Sequence, residues 1–170
     1  MFALKLMLAA ALAAPRPMSL YERLGGKPAI VAVVDGFVGR VAADPRVNRK
    51  VAPSDVSRLK FRLVQQLCHV TGGPCPDLPR SMRTVHRRMG VTDGEWDATM
   101  EDLVATLKNL SVPDREQGEI LAILVPLKSE IVEVHSPATG TPLPPDFRPV
   151  NPLRESERRE EREFEREHAK

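Results

Sequence analysis

The chain has 170 residues, which is enough for one domain with a real core and additional terminal segments. Hydrophobic residues make up 42% of it and charged residues 28%, a balance that predicts a globular protein. Its 25 basic residues are scattered among 23 acidic ones, so the net charge of +2 argues against a dedicated nucleic-acid-binding protein.

Residues 1–14 differ in composition from the rest of the chain. Residues 4–14 are almost wholly apolar with a single cation, Lys5, and are too few to span a bilayer as a regular helix. The run resembles the apolar region of a secretory signal, with a small–x–small cleavage site at Ala11 and Ala13. We therefore expect a signal peptide or a flexible apolar leader, and a periplasmic or secreted mature chain without a stable membrane span. A cytoplasmic chain is the alternative.

From residue 19 onward the sequence predicts a succession of helices. Ser19 and Glu22 have the spacing of a capping box and open a short helix that ends at Gly25 and Gly26. A second helix follows and stops near Asp44. Its apolar residues recur at helical spacing: Ile30, Val33, Val34, Phe37, Val38 and Val41.

The third and fourth helices flank a proline-rich loop. Ser54 is expected to cap the third helix, which ends before Gly72. Its predicted apolar stripe is Val56, Leu59, Leu63, Leu67 and Val70. The fourth helix is expected over residues 81–90, with a C-cap at Gly90. One face of this helix carries Met82, Val85, His86 and Met89.

Two longer helices complete the predicted domain. Thr92 and Glu95 form a second capping box, and Pro113 opens the last core helix, which Pro126 should kink. No stretch alternates apolar and polar residues with period two, so the sequence predicts an all-α domain over residues 19–134. Residues 137–152 are rich in proline and are expected to form an extended linker. Residues 153–170 alternate short runs of Arg and Glu and form a charged tail, which Glu–Arg pairs three and four apart could hold as a solvated helix. A solvated or frayed tail is favoured over one that binds a partner.

His86 stands in the middle of an apolar stripe, which allows two interpretations. It is either a core histidine satisfied by hydrogen bonds or a metal ligand. Zinc would need further His or Cys ligands at close spacing, and the sequence has none near His86. A single histidine facing an apolar cavity suits haem iron, because the porphyrin supplies the other four nitrogens.

The two cysteines, Cys68 and Cys75, flank a glycine-rich turn. In an exported protein a turn there could bring the two sulfurs together as a disulfide. In a chain that is not exported, a buried thiol at Cys68 and an exposed one at Cys75 are the alternative. The spacing alone leaves both open.

Several short motifs share the order and spacing of one known family. They are the run Ser19-Leu20-Tyr21-Glu22-Arg23-Leu24-Gly25-Gly26, then Ala43-Asp44-Pro45-Arg46, Arg58-Leu59-Lys60, Gly72-Gly73-Pro74, the stretch from Met82 to Thr92, and the stretch from Val112 to Leu127. On these motifs the chain resembles the group 1 truncated haemoglobins over residues 19–134. The resemblance implies a two-over-two helical sandwich that encloses haem b.

The resemblance also implies a set of haem-contacting residues. It makes His86 the proximal histidine that coordinates the haem iron, which reverses the balance between the two interpretations. Residues at positions that commonly line the pocket are Met82, Val85, Val91 and Trp96, with Leu59 and Leu63 on the distal helix. His69 lies off that distal stripe, so a second axial ligand there is not favoured.

The departures from the family pattern lie on the distal side. The family often has a tyrosine after the phenylalanine of the second helix, whereas this chain has Phe37 followed by Val38. A glutamine often stands where this chain has Leu63. Where the chain crosses the haem edge, the family has a phenylalanine and this chain has Val51. An apolar distal side is therefore expected. Losing a strong hydrogen bond to bound oxygen, worth about 1.5–3 kcal/mol, should speed oxygen release about ten- to a hundredfold.

The expected function is that of a haem-binding globin that carries or senses a diatomic gas, O2, NO or CO. Oxidation of NO by bound oxygen would require a reductase as a partner, and the missing distal tyrosine and glutamine disfavour it, so we assign no catalytic residue. Two alternatives remain: a helical interaction domain that has lost haem, and a haem-based electron-transfer protein.

Overall fold

Helices make up the regular structure of this computed structural model, which describes residues 16–76, 80–147 and 155–168. In chain order they are α1 (Leu20–Leu24), α2 (Gly26–Ala43), α3 (Asn48–Val51), α4 (Val56–Val70), α5 (Met82–His86), α6 (Asp93–Asn109), α7 (Asp114–Leu124), α8 (Lys128–Ile131) and α9 (Glu155–His168). A 3₁₀ turn at Pro126 separates α7 from α8, where the sequence predicts a kink. One isolated bridge pairs Thr92 with Val134, and the described residues form no strand. The all-α prediction is confirmed.

Helix α2 lies at the centre of the core, packed against both α4 and α6. It is apolar on more than one side, and its buried residues are Ile30, Val31, Val33, Val34, Val38 and Val41. Gly36 permits the close approach of α6, because a Cβ atom there would lie 2.9 Å from Cγ2 of Thr106. Leu67, Leu103 and Ile120 bring α4, α6 and α7 into the same cluster.

Both predicted capping boxes form. The side chains of Ser19 and Thr92 each accept a hydrogen bond from the third helical N–H group, and Glu22 and Glu95 reach back to the cap residues. The predicted cap of α4 at Ser54 is wrong by one residue. The next residue, Asp55, accepts the hydrogen bond instead, because the helix begins at Val56 and both residue types cap well.

The apolar stripe predicted for α4 is only partly correct. Leu67 is buried, but Val56 is 54% exposed. The other buried residues of this helix, Phe61, Val64 and Cys68, lie off the predicted stripe. Leu59, Leu63 and Val70 are partly buried and pack at the edge of the main core. Helix α4 therefore uses two faces, which a single periodic stripe cannot describe.

An ion pair with little exposure joins α1 to α7. Nε of Arg23 donates to Glu116 at 2.9 Å, and its guanidinium also contacts Glu119. The Arg23 side chain is 22% exposed and that of Glu116 10%. The hydrogen bond from Arg23 lowers the pKa of Glu116 below its ordinary value of 4.5. Because its pKa is lower in the folded state, Glu116 should stabilise the fold most in its charged form.

Replacing Glu116 by glutamine is expected to lower the free energy of unfolding at neutral pH and to lower it by less near pH 3. Above the unfolded-state pKa of 4.5 the stabilisation is fully present. It is lost as the pH falls through the lower folded-state pKa, because the unfolded chain binds the proton more readily. Urea unfolding of both proteins at pH about 7 and about 3 measures this dependence. An equal loss at both pH values would contradict it.

A disulfide joins Cys68, the buried last-turn residue of α4, to Cys75. The two Cα atoms are 5.7 Å apart. The turn between them is closed by the N–H group of Gly73, which donates to the Cys68 carbonyl at 2.7 Å. Of the two possibilities that the spacing leaves open, a disulfide or two free thiols, the structure has the disulfide.

The proline-rich segment after α8 is extended but not detached. Residues 136–142, which we call the strap, lie along the start of α6, where the N–H group of Gly94 donates to the Ser136 carbonyl at 3.1 Å. At the other end of the strap, the N–H group of Gly140 donates to the Arg46 carbonyl at 2.6 Å. The sequence predicts an extended linker over residues 137–152. Residues 137–142 are instead packed on the domain, and residues 148–152 lie outside the described residues.

The terminal segments differ in how far the structure describes them. Helix α9 covers most of the charged tail and contacts α4, where the Gln65 amide donates to Glu160 at 3.2 Å. Arg158 pairs with Glu155 at 2.8 Å, one of the Glu–Arg pairs that the tail sequence predicts. The predicted leader, residues 1–14, lies outside the described residues. Within the described ranges, no helix has both the length and the apolar character needed to cross a bilayer.

Candidate haem pocket

Helix α5 ends at His86, earlier than the sequence predicts. Arg87 leaves helical geometry with a ψ of 130°, and Arg88 follows with a φ of 65°. The Glu133 carboxylate accepts hydrogen bonds from the N–H groups of Arg88 and Gly90, at 2.7 Å each, and stabilises this turn. The expected C-cap at Gly90 is therefore wrong, because the helix has already ended when the chain reaches it.

The His86 imidazole is oriented by its own helix. Its Nδ1 atom lies 2.9 Å from the carbonyl oxygen of Met82, one turn earlier. A carbonyl oxygen can only accept a hydrogen bond, so Nδ1 carries the proton and Nε2 of the neutral ring keeps its lone pair. Burial lowers the pKa of His86, although the hydrogen bond to Met82 and the charge of Glu133 act in the opposite direction. The ring is therefore neutral at neutral pH and offers one unprotonated nitrogen.

The other predicted proximal residues lie near His86 in the chain but at different depths. Met82 and Val85 share its helix and, like His86, are half-buried. Val91 and Trp96 are buried, each 8% exposed. No residue of α5 is fully buried, so this helix faces a slot or the solvent rather than a filled core.

An apolar cavity of about 360 Å³ lies beside α2, α3 and the start of α4. Its lining residues are Val38, Ala42, Asn48, Arg49, Val51, Ala52, Val56 and Leu59. Val38, Val51 and Leu59 are three of the positions that the sequence analysis places on the distal side, and the structure brings them together here. Phe37 and Leu63 pack against the main core instead. The proximal residues, His86 among them, are not part of this lining.

Sequence reasoning missed the polar edge of this cavity. Asn48 and Arg49 reach it from α3, a four-residue helix too short to show periodicity. The expected apolar distal side stays a prediction, and the cavity adds these two polar residues to the apolar ones that the sequence indicates. The three distal residues that line the cavity, Val38, Val51 and Leu59, carry no side-chain hydrogen-bond donor.

Two further histidines are engaged away from the cavity. Nδ1 of His69 lies 3.1 Å from the carbonyl oxygen of Cys75 and so supports the disulfide turn. His135 is exposed and pairs with Asp93 at 3.2 Å. None of the three histidines, His86 included, is part of the cavity lining. Among the described side chains His86 stays the best candidate for an axial ligand, because it alone stands where the resemblance places the proximal histidine and its Nδ1 contact with Met82 leaves Nε2 unprotonated.

His86 and the cavity walls each have the chemistry that haem binding needs. Neutral imidazole with one free nitrogen is the axial ligand that globins use, and the haem then needs no other protein ligand. Apolar walls suit the flat porphyrin, and Arg49 at the cavity edge offers a counter-charge for its carboxylates.

Comparison with known proteins shows which protein family the chain belongs to. The model described as bacterial-like globin matches residues 19–133. The group 1 truncated hemoglobin GlbN of Mycolicibacterium paratuberculosis is 33% identical over 115 residues, which are 68% of this chain and 85% of that protein. The chain belongs to the group 1 truncated haemoglobins. It is therefore a haem-binding globin.

Solved structures agree with this assignment of the truncated haemoglobin. The Fe(III) form of the truncated hemoglobin from Tetrahymena pyriformis superposes with a TM-score of 0.64 at 30% identity, covering 68% of this chain and 98% of that one. The 2/2 hemoglobin from Synechococcus sp. PCC 7002, solved in the cyanomet state with covalently attached heme, gives 0.65 at 35% identity with the same coverage. The truncated-globin fold with its two-over-two helical sandwich is confirmed.

Proposed function

We propose that this truncated haemoglobin holds haem b through His86 and binds a diatomic gas, O2, NO or CO, beside Val38, Val51 and Leu59. The observation that carries the proposal is the hydrogen bond between His86 Nδ1 and the Met82 carbonyl. It fixes the tautomer that leaves Nε2 available for iron. The lowered pKa of His86 acts in the same direction, because a neutral ring does not have to lose a proton first.

When bound, haem supplies the iron centre that binds a gas. The chain's own residues set the affinity for that gas. Met82 orients the imidazole on one side, and the hydrogen bond that it accepts makes His86 a more basic ligand. On the other side Val38, Val51 and Leu59 donate no hydrogen bond, and the donors in the same cavity are Asn48 and Arg49 of α3. Oxygen held beside the three apolar residues is held weakly, while CO depends less on a donor. Turnover of NO by bound oxygen is disfavoured for the same reason.

Titration of the purified protein with hemin tests the proposal. The wild type is expected to give a sharp, shifted Soret band that saturates at one hemin per chain, and His86→Ala is expected to lose it. His69→Ala, whose ring bonds to Cys75, is the matched control and should bind hemin as the wild type does.

Equal hemin spectra for the wild type and His86→Ala would contradict the proposal. No hemin binding by the wild type would favour an interaction domain that has lost haem. Carbon monoxide binding to the reduced protein distinguishes an open iron from the closed centre of an electron-transfer protein.

We also propose that the chain works in the periplasm or outside the cell. The disulfide between Cys68 and Cys75 supports this, because disulfides persist in oxidising compartments. The apolar run at residues 4–14 supports export independently. Fractionation of the expressed chain, with mass analysis of its N-terminus, tests the proposal. A full-length cytoplasmic product would contradict it.

A further inference from the structure

The strap, residues 136–142, lies beyond the part of the chain that the family model matches, which ends at residue 133. It is nevertheless joined to the first turn of α6. Besides the bond from Gly94 to Ser136, the Thr92 hydroxyl donates to the Ala138 carbonyl at 2.5 Å. The strap is therefore held against the segment that connects α5 to α6.

Glu95 links the strap to that segment through its carboxylate. Its side chain is 1% exposed. One oxygen accepts hydrogen bonds from the N–H group and the hydroxyl of Thr141, at 2.8 and 2.7 Å. The other accepts from the N–H group of Thr92 at 3.1 Å and lies 3.5 Å from the Lys50 ammonium.

Lys50 completes the link to the residues that follow His86. Its ammonium, 7% exposed at the side chain, donates to the carbonyl oxygens of Met89 and Gly90 at 2.9 and 3.2 Å. It also donates to the carbonyl of Pro142 in the strap at 3.4 Å. One buried cation therefore joins the strap to the turn that begins directly after the proposed proximal histidine.

We propose that the strap, with Lys50 and Glu95, is a positioning element that fixes the turn at residues 87–92 and thereby sets how His86 presents its imidazole. Helix α5 has five residues and cannot hold its orientation alone, because short helices are unstable without tertiary contacts. Helix α8 contacts α5 and accepts hydrogen bonds from Arg83 near its N-terminal end, so the contacts of the next residues act mainly on the C-terminal end, where His86 lies. The inference rests on the proposed role of His86 as the iron ligand.

Gly94 provides a substitution that displaces the strap in the full chain. A Cβ atom there would overlap the Pro137 carbonyl and lie 2.7 Å from the Ala138 oxygen. Gly94 is helical, and alanine is the better helix former, so a clash with the strap is the main expected cost. Gly118→Ala in α7 is the matched control, because nothing lies within 4 Å of its Cβ position.

The experiment compares Gly94→Ala, Gly118→Ala and the wild type by three measurements. In Gly94→Ala we expect faster hydrogen exchange of the amides of residues 90–93 in the haem-free protein, and hemin transfer to an acceptor globin faster by about ten- to a hundredfold. We also expect a shifted iron–histidine stretching band in the Raman spectrum of the reduced protein. Gly118→Ala should match the wild type in all three.

If Gly94→Ala does not fold, Thr141→Val removes only the hydroxyl bond to Glu95 and should produce smaller changes of the same sign. Loss of protection of the Gly140 amide from hydrogen exchange would show that the strap is displaced in the folded variant. The proposal would be overturned if that variant kept the wild-type exchange of residues 90–93, the wild-type rate of hemin transfer and the wild-type Raman band. Failure of the proposed function looks different: His86→Ala would then leave hemin transfer unchanged, while the exchange measurement would still report whether the strap holds the turn.

Discussion

Replacing Val38 by tyrosine is expected to slow oxygen release by about ten- to a hundredfold. Val38 is buried and lines the cavity of about 360 Å³ beside α2, so a larger ring has space to enter. A tyrosine hydroxyl there supplies a hydrogen-bond donor beside Val51 and Leu59, which have none, in addition to Asn48 and Arg49 of the same cavity. A strong hydrogen bond to the bound gas contributes about 1.5–3 kcal/mol, which corresponds to that change in rate. Stopped-flow displacement of oxygen by CO measures it.

Val38→Phe is the matched control for this substitution, because it adds the ring without the hydroxyl. It should release oxygen at about the wild-type rate or at a rate changed by steric effects alone. Rates for CO release should differ little between the two variants, because bound CO carries less charge for a donor to stabilise. Equal slowing by tyrosine and phenylalanine would show that bulk, and not a hydrogen bond, controls release.

Lys50→Met is expected to lower the free energy of unfolding by about 3–5 kcal/mol. The substitution removes the cation beside the Glu95 carboxylate, whose side chain is 1% exposed, and removes the lysine donor from the carbonyls of Met89 and Gly90. Glu95 keeps its hydrogen bonds from Thr92 and Thr141, but removing one partner of a buried ion pair is among the most destabilising changes that a domain can undergo. Urea unfolding of the haem-free protein, monitored by Trp96 fluorescence, measures the loss.

Two further variants separate charge from packing in this prediction. Lys60→Met breaks the ion pair with Asp35, whose side chain is 51% exposed, and should cost less than about 1 kcal/mol. Lys50→Met combined with Glu95→Gln removes both buried charges and should recover part of the loss. If Lys50→Met lowers the free energy of unfolding by no more than Lys60→Met does, the buried ion pair does not stabilise the domain and the prediction is wrong.

Local signals in the sequence predict much of the fold. Ser19, Glu22, Thr92 and Glu95 form the expected capping boxes, because cap geometry depends on residues three positions apart. The apolar residues predicted on α2 face other helices, because α1, α3, α4 and α6 all contact this helix. The capping boxes depend on residues near each other in sequence, and α2 depends on apolar contacts alone.

Contacts between distant residues explain where the predictions fail. Helix α4 lies between the core and the cavity, so Phe61 is buried in the core while the partly buried Leu59 lines the cavity. Helix α5 ends at His86 because Glu133, 47 positions later in the chain, accepts hydrogen bonds from the turn that follows it. Nothing near Lys50 in the sequence marks it as buried, since its partners lie about 40 or more residues away.

Rescue of His86→Gly by free imidazole is the most direct test of the account. The variant, reduced and exposed to CO, is expected to lack the absorption band of a six-coordinate histidine-ligated haem. Adding imidazole should restore that band, because the small ligand can enter the space that the side chain leaves. His69→Gly should show the band without imidazole. A wild-type CO spectrum in His86→Gly before imidazole is added would show that another group binds the iron and would contradict the account.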